Sequence, residues 1–179
     1  MTNADLLHRQ LVRAAVAAPY LEREEEHLLA LRWRDFRDEK ALHQITAAHM
    51  RLAISIAARF RHYGLPISDL VQEGHIGLME AAARFEPDRD VRFSTYASWW
   101  IRASIQEYVL RNWSIVRGGT SKAKKSLFFN LRRLKAQLGR EFPDDNQREL
   151  TARISETLGV SVKDVQTMDA RFSAPDTSM

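Results

Sequence analysis

Phe93-Ser94-Thr95-Tyr96-Ala97-Ser98-Trp99-Trp100-Ile101-Arg102 begins a stretch that runs on through Ala103, Ile105 and Tyr108 with neither proline nor glycine. At about 100° per residue, Ala97, Ile101, Ile105 and Tyr108 share one arc of a helix, which suffices to dock it on a core. Tyr96, Trp99, Trp100 and Ala103 fall on a second arc roughly a quarter-turn away, and Arg102 lies on neither. One apolar stripe is enough to fold a helix, so the second needs a cause. Either the helix is buried on both sides at the centre of a bundle, or the second face is a binding surface. Its flanks, Arg89, Arg92, Arg102 and Arg111, are cationic. Flat rings beside cations suit unpaired bases: each stack is worth about 1–3 kcal/mol while arginines hold the backbone. Stacking on an extruded base also offsets the few kcal/mol that unpairing costs, so binding alone could open a weak A·T-rich segment without ATP.

Working outward, nearly every segment reads as helix, and no stretch sustains an alternation of period two. Leu7, Leu11 and Ala15 mark one face of an N-terminal helix that stops before Pro19, and a second is predicted from Glu22 to about Asp35. Leu42, Ile45, Leu52, Ile56 and Phe60 keep helical phase through one long third helix, from about Asp38 to His62, broken by Gly64-Leu65-Pro66. Ser68 is the expected N-cap of a helix reaching Phe85, with Asp69 in its first turn. Ser94 is expected to cap the aromatic helix, which extends to Trp113. Gly118-Gly119 is the expected domain boundary, because two glycines prolong a helix only at a cost. Beyond it, Leu127, Leu131, Leu134 and Leu138 form a stripe expected to end at Gly139. Leu150, Ile154 and Leu158 precede Gly159, and Ser161 caps a helix carrying Val162, Val165, Met168 and Phe172. The segment Ile154 to Val165 has a helix-turn-helix pattern. The fold class is all-α in two helical domains, a bundle over residues 1–117 and a small three-helix domain over 118–172. A disordered tail is expected over 173–179.

Charge is modest in sum and uneven in place: 27 basic against 23 acidic residues leave +4, yet no acidic residue lies between Tyr108 and Arg140. Nine basic side chains fall in that run, among them Lys122, Lys124, Lys125, Arg132 and Arg133. The run is either a solvated face or a phosphate-binding surface. There is no cysteine, so neither disulfides nor a thiolate metal site arise, in keeping with a reducing cytoplasm. No apolar run approaches the roughly 18 residues of a membrane span, and the first residues lack the pattern of a signal peptide. The histidines at 8, 27, 43, 49, 62 and 75 form no metal or triad pattern, and no phosphate-cradling glycine loop is present. No catalytic residue, metal or cofactor is therefore expected. His49 reads as a surface or DNA-side residue, and acid pairs such as Glu24 and Glu25 as solvated helix.

The stretch from Phe93 to Arg102 resembles the promoter-melting segment of the sigma-70 family. Upstream, Asp69-Leu70-Val71-Gln72-Glu73-Gly74-His75-Ile76-Gly77-Leu78-Met79 is similar to that family's polymerase-binding motif. Downstream, Glu107 to Val116 and Lys124 to Arg132 resemble the heat-shock subfamily, and the likeness covers about residues 20 to 172. It implies a sigma2-like bundle followed by a sigma3-like three-helix domain. It implies a transcription initiation factor, not an enzyme, that binds core RNA polymerase and recognises and melts the −10 region of heat-shock or stress promoters.

Carried onto these positions, the resemblance has Asp69, Gln72, Glu73, His75 and Met79 face the coiled coil of the largest polymerase subunit. Tyr96, Trp99 and Trp100 would hold the flipped adenine and cap the upstream edge of the bubble. Phe93, Ser94 and Thr95 would line the single-stranded non-template strand, and Arg92 and Arg102 would contact phosphates. Gln106 joins this DNA-facing set, and Lys122, Lys124 and Lys125 would read DNA just upstream. Chaperones or an anti-sigma factor are further partners that it implies. The pattern departs from the family where His75 replaces asparagine, Ala103 glutamine and Val91 an aromatic, and where Gly118-Gly119 replaces less flexible residues. No counterpart of the family's −35-reading domain follows, so an N-terminal fragment is expected. The competing reading is a sigma-like interaction module that occupies polymerase or an anti-sigma partner without opening DNA; loss of aromatics at 96, 99 and 100 would have favoured it.

Overall fold

The computed structural model describes residues 3–113 and 121–173, and all regular structure among them is helical. The chain divides into two compact units, Met1–Ser114 and Ile115–Met179. The expected boundary at Gly118-Gly119 lies outside the described residues, as do residues 174–179 of the expected tail; Ser173 closes the last helix. No described helix is long and apolar enough to cross a membrane.

The first unit holds α1 (Asn3–Ala17), α2 (Arg23–Phe36), α3 (Glu39–Ala48), α4 (Met50–Ala58), a 3₁₀ turn (Arg61–Tyr63), α5 (Ile67–Arg84) and α6 (Phe93–Asn112). Its centre is the packing of α5 on α6, with α4 against both. Leu70, Val71 and Leu78 from α5 and Ala97, Ile101, Ile105 and Val109 from α6 are fully buried. The two helices approach so closely that a Cβ on Gly77 would lie 2.5 Å from the Trp100 carbonyl oxygen and 2.8 Å from Ile101 Cα. Glycine is required there because backbone, which cannot swing aside, fills the space.

Several expected boundaries are corrected. The single helix from Asp38 to His62 is two helices meeting at His49, whose backbone (φ −105°, ψ 7°) leaves helical geometry. The sequence keeps its phase across that break, so periodicity alone does not reveal it. Asp38 caps α3 by accepting from the Lys40 and Ala41 amides. The N-cap of α5 is Pro66, not Ser68: proline's fixed φ suits a helix start, and the Ser68 hydroxyl donates to Asp69. Ser94 does not cap α6, which begins at Phe93 with Arg92 as its N-cap, two residues earlier than expected. Leu7 remains exposed on α1, while Ala15 is buried.

The second unit packs α7 (Lys122–Glu141), α8 (Gln147–Leu158) and α9 (Val162–Ser173) around Leu127, Phe128, Leu131, Leu134, Ile154, Val165 and Met168. Helix α7 runs through Gly139 to Glu141, because one interior glycine costs only about 1 kcal/mol against alanine. Asn146 and Glu149 form a reciprocal capping box for α8, which ends on Gly159 in the left-handed conformation (φ 63°). Ser161 accepts from the Asp164 amide at 3.0 Å and starts α9.

Candidate nucleic-acid and polymerase interfaces

Helix α6 presents the two expected faces, and the second is not core. Trp99 is 71% exposed, Thr95 and Ala103 are exposed, and Tyr96, Trp100, Arg102 and Gln106 are half-buried. The rings are held from beneath. Tyr96 lies 5.6 Å from Phe85 and 6.2 Å from Trp100, and the Arg84 guanidinium sits 4.8 Å from the Trp100 ring centroid. A cation over an indole both restrains the ring and adds positive charge at its edge. Ser94 is half-buried, and its carbonyl accepts from the Ser98 hydroxyl at 2.7 Å. Arg84 escaped the sequence reading; its signal was only its place at the C-terminal end of α5, five residues beyond the motif that ends at Met79.

Phe93 departs from expectation. It is fully buried, edge-on to His49 at 4.7 Å and to Phe85 at 5.2 Å, and offers no surface to a strand. Its Cβ points along the face shared with Ala97 and Ile101, so it belongs to the docking arc. His49 is likewise no surface residue: Nδ1 donates to the Ile45 carbonyl at 2.8 Å, and Nε2 lies 3.5 Å from Glu26 Oε2.

Glu26 was the other miss. It stands in an acidic run on α2 that reads as solvated, yet it is 3% exposed, on the same face as buried Leu29 and Ala30. Its Oε1 accepts from the Phe93 amide at 2.7 Å and from Arg92 Nε at 3.3 Å, and Oε2 accepts from Arg92 Nη2 at 3.3 Å. Burial by itself would raise this carboxyl's pKa; hydrogen bonds from His49, the Phe93 amide and Arg92 outweigh it and hold the group at about 2. The stability this supplies is present above the ordinary carboxylate range and is lost as pH falls through it toward about 2. Arg92 is thus engaged with Glu26 and with the Leu21 carbonyl, its side chain still partly exposed.

On α5 the second set falls on the face opposite the core. Gln72 and Met79 are exposed, with the exposed apolar Ile76 between them, a residue the sequence reading passed over although helical spacing places it there. Asp69 is half-buried and accepts from the Tyr108 hydroxyl at 3.1 Å. Glu73 is more covered than expected, its side chain 20% exposed and 3.7 Å from Arg111. His75 is half-buried at the rim of an apolar groove of about 570 Å³ that Met79 also lines, with Leu11, Trp33 and Leu42. Burial first, and then His43 nearby, push the His75 pKa below its ordinary value.

In the second unit Lys122, Lys124 and Lys125 are exposed on the first turn of α7. Lys124 Nζ lies 3.2 Å from Asp164, and Lys135 farther along binds Asp169 at 2.8 Å. The acid-free run is therefore partly neutralised by carboxylates of α9, distant in sequence.

A family model for sigma-70 region 2 matches residues 45–115, which include α4, α5 and α6. The chain is 46% identical over 161 residues to "RNA polymerase sigma factor RpoH" of Caulobacter vibrioides, covering 90% of this chain and 55% of that protein. It is 46% identical over 155 residues to the protein of the same name from Zymomonas mobilis, covering 87% and 51%. The Rhizobium radiobacter protein of that name is 46% identical over 154 residues, covering 86% and 51%. The chain spans about half the length of the curated relatives it matches. Helices that carry the matched motifs, an exposed aromatic face on one of them and this level of identity lead to one conclusion: the chain belongs to the sigma-70 family, on its heat-shock RpoH side.

Proposed function

We propose that this chain acts in the cytoplasm as a transcription initiation factor that docks on core RNA polymerase through α5 and opens the −10 region of heat-shock or stress promoters through α6. The observation that carries the reading is the exposed aromatic face of α6 on a fully buried docking face. Exposing an indole to water is unfavourable unless something covers it. Tyr96, Trp99 and Trp100 stack on unpaired bases, while Arg102, Gln106 and the hydroxyls of Ser94 and Thr95 meet the displaced strand. Phe93 and Arg92 act from behind, as part of the support. Residues 1–117 form the polymerase-binding and melting domain. Lys122, Lys124 and Lys125, in the domain spanning 118–172, hold duplex phosphates upstream. Asp69, Gln72, Glu73, His75 and Met79, with Ile76 among them, form the polymerase face. Chaperones or an anti-sigma factor would compete for such exposed surfaces.

The test is co-purification with core polymerase followed by promoter opening. Gln72→Ala combined with Glu73→Lys should weaken polymerase binding more than about tenfold, roughly 1.4 kcal/mol, with helical circular dichroism unchanged. Unfolding of the double variant, or unchanged binding, would overturn the assignment of α5.

A further inference from the structure

Helix α6 lacks a local cap. Its N-cap, Arg92, makes no side-chain bond to the first turn, and that turn has no acidic residue. The first amides of a helix have no partner within it and need one from elsewhere. Here the partner is Glu26, on a different helix and 67 residues earlier in sequence. Its carboxylate also meets the positive end of the helix dipole. The same group gathers Arg92 and the imidazole of His49, at the junction of α3 and α4. With Nδ1 donating to Ile45, Nε2 is the ring nitrogen turned toward Glu26. Three groups, the Phe93 amide, the Arg92 guanidinium and the His49 imidazole, thus converge on one buried carboxylate.

We propose that Glu26 is the positioning residue of the promoter-opening helix: by capping Phe93 and fixing Arg92 and His49 around it, it sets the rotation and register at which Tyr96, Trp99 and Trp100 face the DNA. The inference rests on the function proposed above. An apolar side chain could fill the same space, and replacing buried ion pairs by apolar groups is often neutral or stabilising. What an apolar residue cannot supply is a fixed acceptor for the first turn of α6. Tyr96 lies about one turn beyond that cap and Trp99 and Trp100 about two, so slippage there passes directly to the rings.

The experiment compares Glu26→Leu and Glu26→Gln with Leu29→Ala, a core variant on the same helix that serves as the stability control. Each chain is assembled with core polymerase and offered a fork template whose A·T-rich −10 strand is unpaired. Hydrogen exchange of the Phe93 amide and thermal melting are followed in parallel. Glu26→Leu should speed Phe93 exchange by about tenfold or more, and weaken fork binding by about as much, while polymerase binding stays within about twofold. Glu26→Gln keeps an acceptor but loses the charge, so it should fall between Glu26→Leu and the parent. Leu29→Ala, at equal or greater loss of melting temperature, should leave Phe93 exchange relative to the α5 amides, and fork binding, near the parent values. The proposal is overturned if Glu26→Leu keeps both properties, or if Leu29→Ala loses them equally at matched stability. If Glu26→Leu does not fold, Glu26→Gln decides: a loss of about threefold in fork binding supports the proposal and parental behaviour sinks it. A parent chain with no affinity for the fork would instead refute the proposed function, and Phe93 exchange alone would then judge the capping role.

Discussion

The aromatic face of α6 and the basic start of α7 are both exposed and both proposed to meet DNA, yet they are built in opposite ways. The rings of α6 are short-tethered and ride on a helix whose other side is completely buried, with Tyr96 against Phe85 and Trp100 under Arg84. The lysines of α7 are long and solvated, and Lys124 is already drawn to Asp164. Stacking needs rings at a set angle and height, so the fold invests buried groups, Glu26 included, in holding that helix. Phosphate attraction is long-ranged and tolerant of position, so flexible side chains suffice. Rigidity is spent where geometry carries the chemistry.

The largest effect should come from beneath the aromatic face. Gly77→Ala places a Cβ against the backbone of Trp100 and Ile101, and should cost on the order of 3 kcal/mol in chemical denaturation. Gly74→Ala is tight only against the flexible end of Ile105 at 3.2 Å, with the Ala53 carbonyl oxygen and Ile101 Cγ2 at an ordinary 3.5 Å, and should be much milder. A cost for Gly77→Ala as small as that for Gly74→Ala would show that α5 and α6 can part without penalty, and that the rigid support is not rigid.

Next in size is the loss of a ring from the exposed side. Trp99→Ala should change folding stability by no more than about 0.5 kcal/mol, whereas it should reduce promoter opening roughly tenfold or more. A fluorescent base analogue in the −10 region reports the opening. Trp100→Ala should lose about 1 kcal/mol more in stability, because Arg84 loses its ring. A pre-melted template should restore the part of either defect that comes from unpairing, while the loss of the stack itself remains. Identical behaviour on duplex and pre-melted DNA would place the rings outside the melting step.

The smallest effect concerns charge. Replacing Lys122, Lys124 and Lys125 together by alanine should weaken binding to all DNA sequences alike. It should also flatten the salt dependence by somewhat under about one unit of slope for each phosphate that is no longer neutralised. Within that set, Lys124→Ala should matter less than Lys125→Ala, since Lys124 must first leave Asp164. An unchanged slope for the triple variant would make this face merely solvated, and the DNA would then be held by a single interface.

Much was legible along the chain itself, and the reasons are local. Period and breakers placed the helices, because side-chain spacing along a helix is fixed at about 3.6 residues. The two arcs of α6 were separable for the same reason, and Gly159 and Ser161 announced their caps through their own chemistry. What only the tertiary structure decided are questions of partner. The break at His49 leaves the apolar phase intact, so it shows only in backbone dihedrals and in the contacts of its ring with Phe93 and Glu26. Phe93 heads a segment resembling a promoter-melting motif but turns inward, because the start of α6 is seated on α2. Glu26 looks like its acidic neighbours until a helix terminus arrives to share its proton acceptors. Lys124 looks free until Asp164 folds back beside it. Helical phase is a property of neighbours along the chain, whereas burial of a charge, the cap of a remote helix and the pairing of a lysine depend on residues that sequence distance hides.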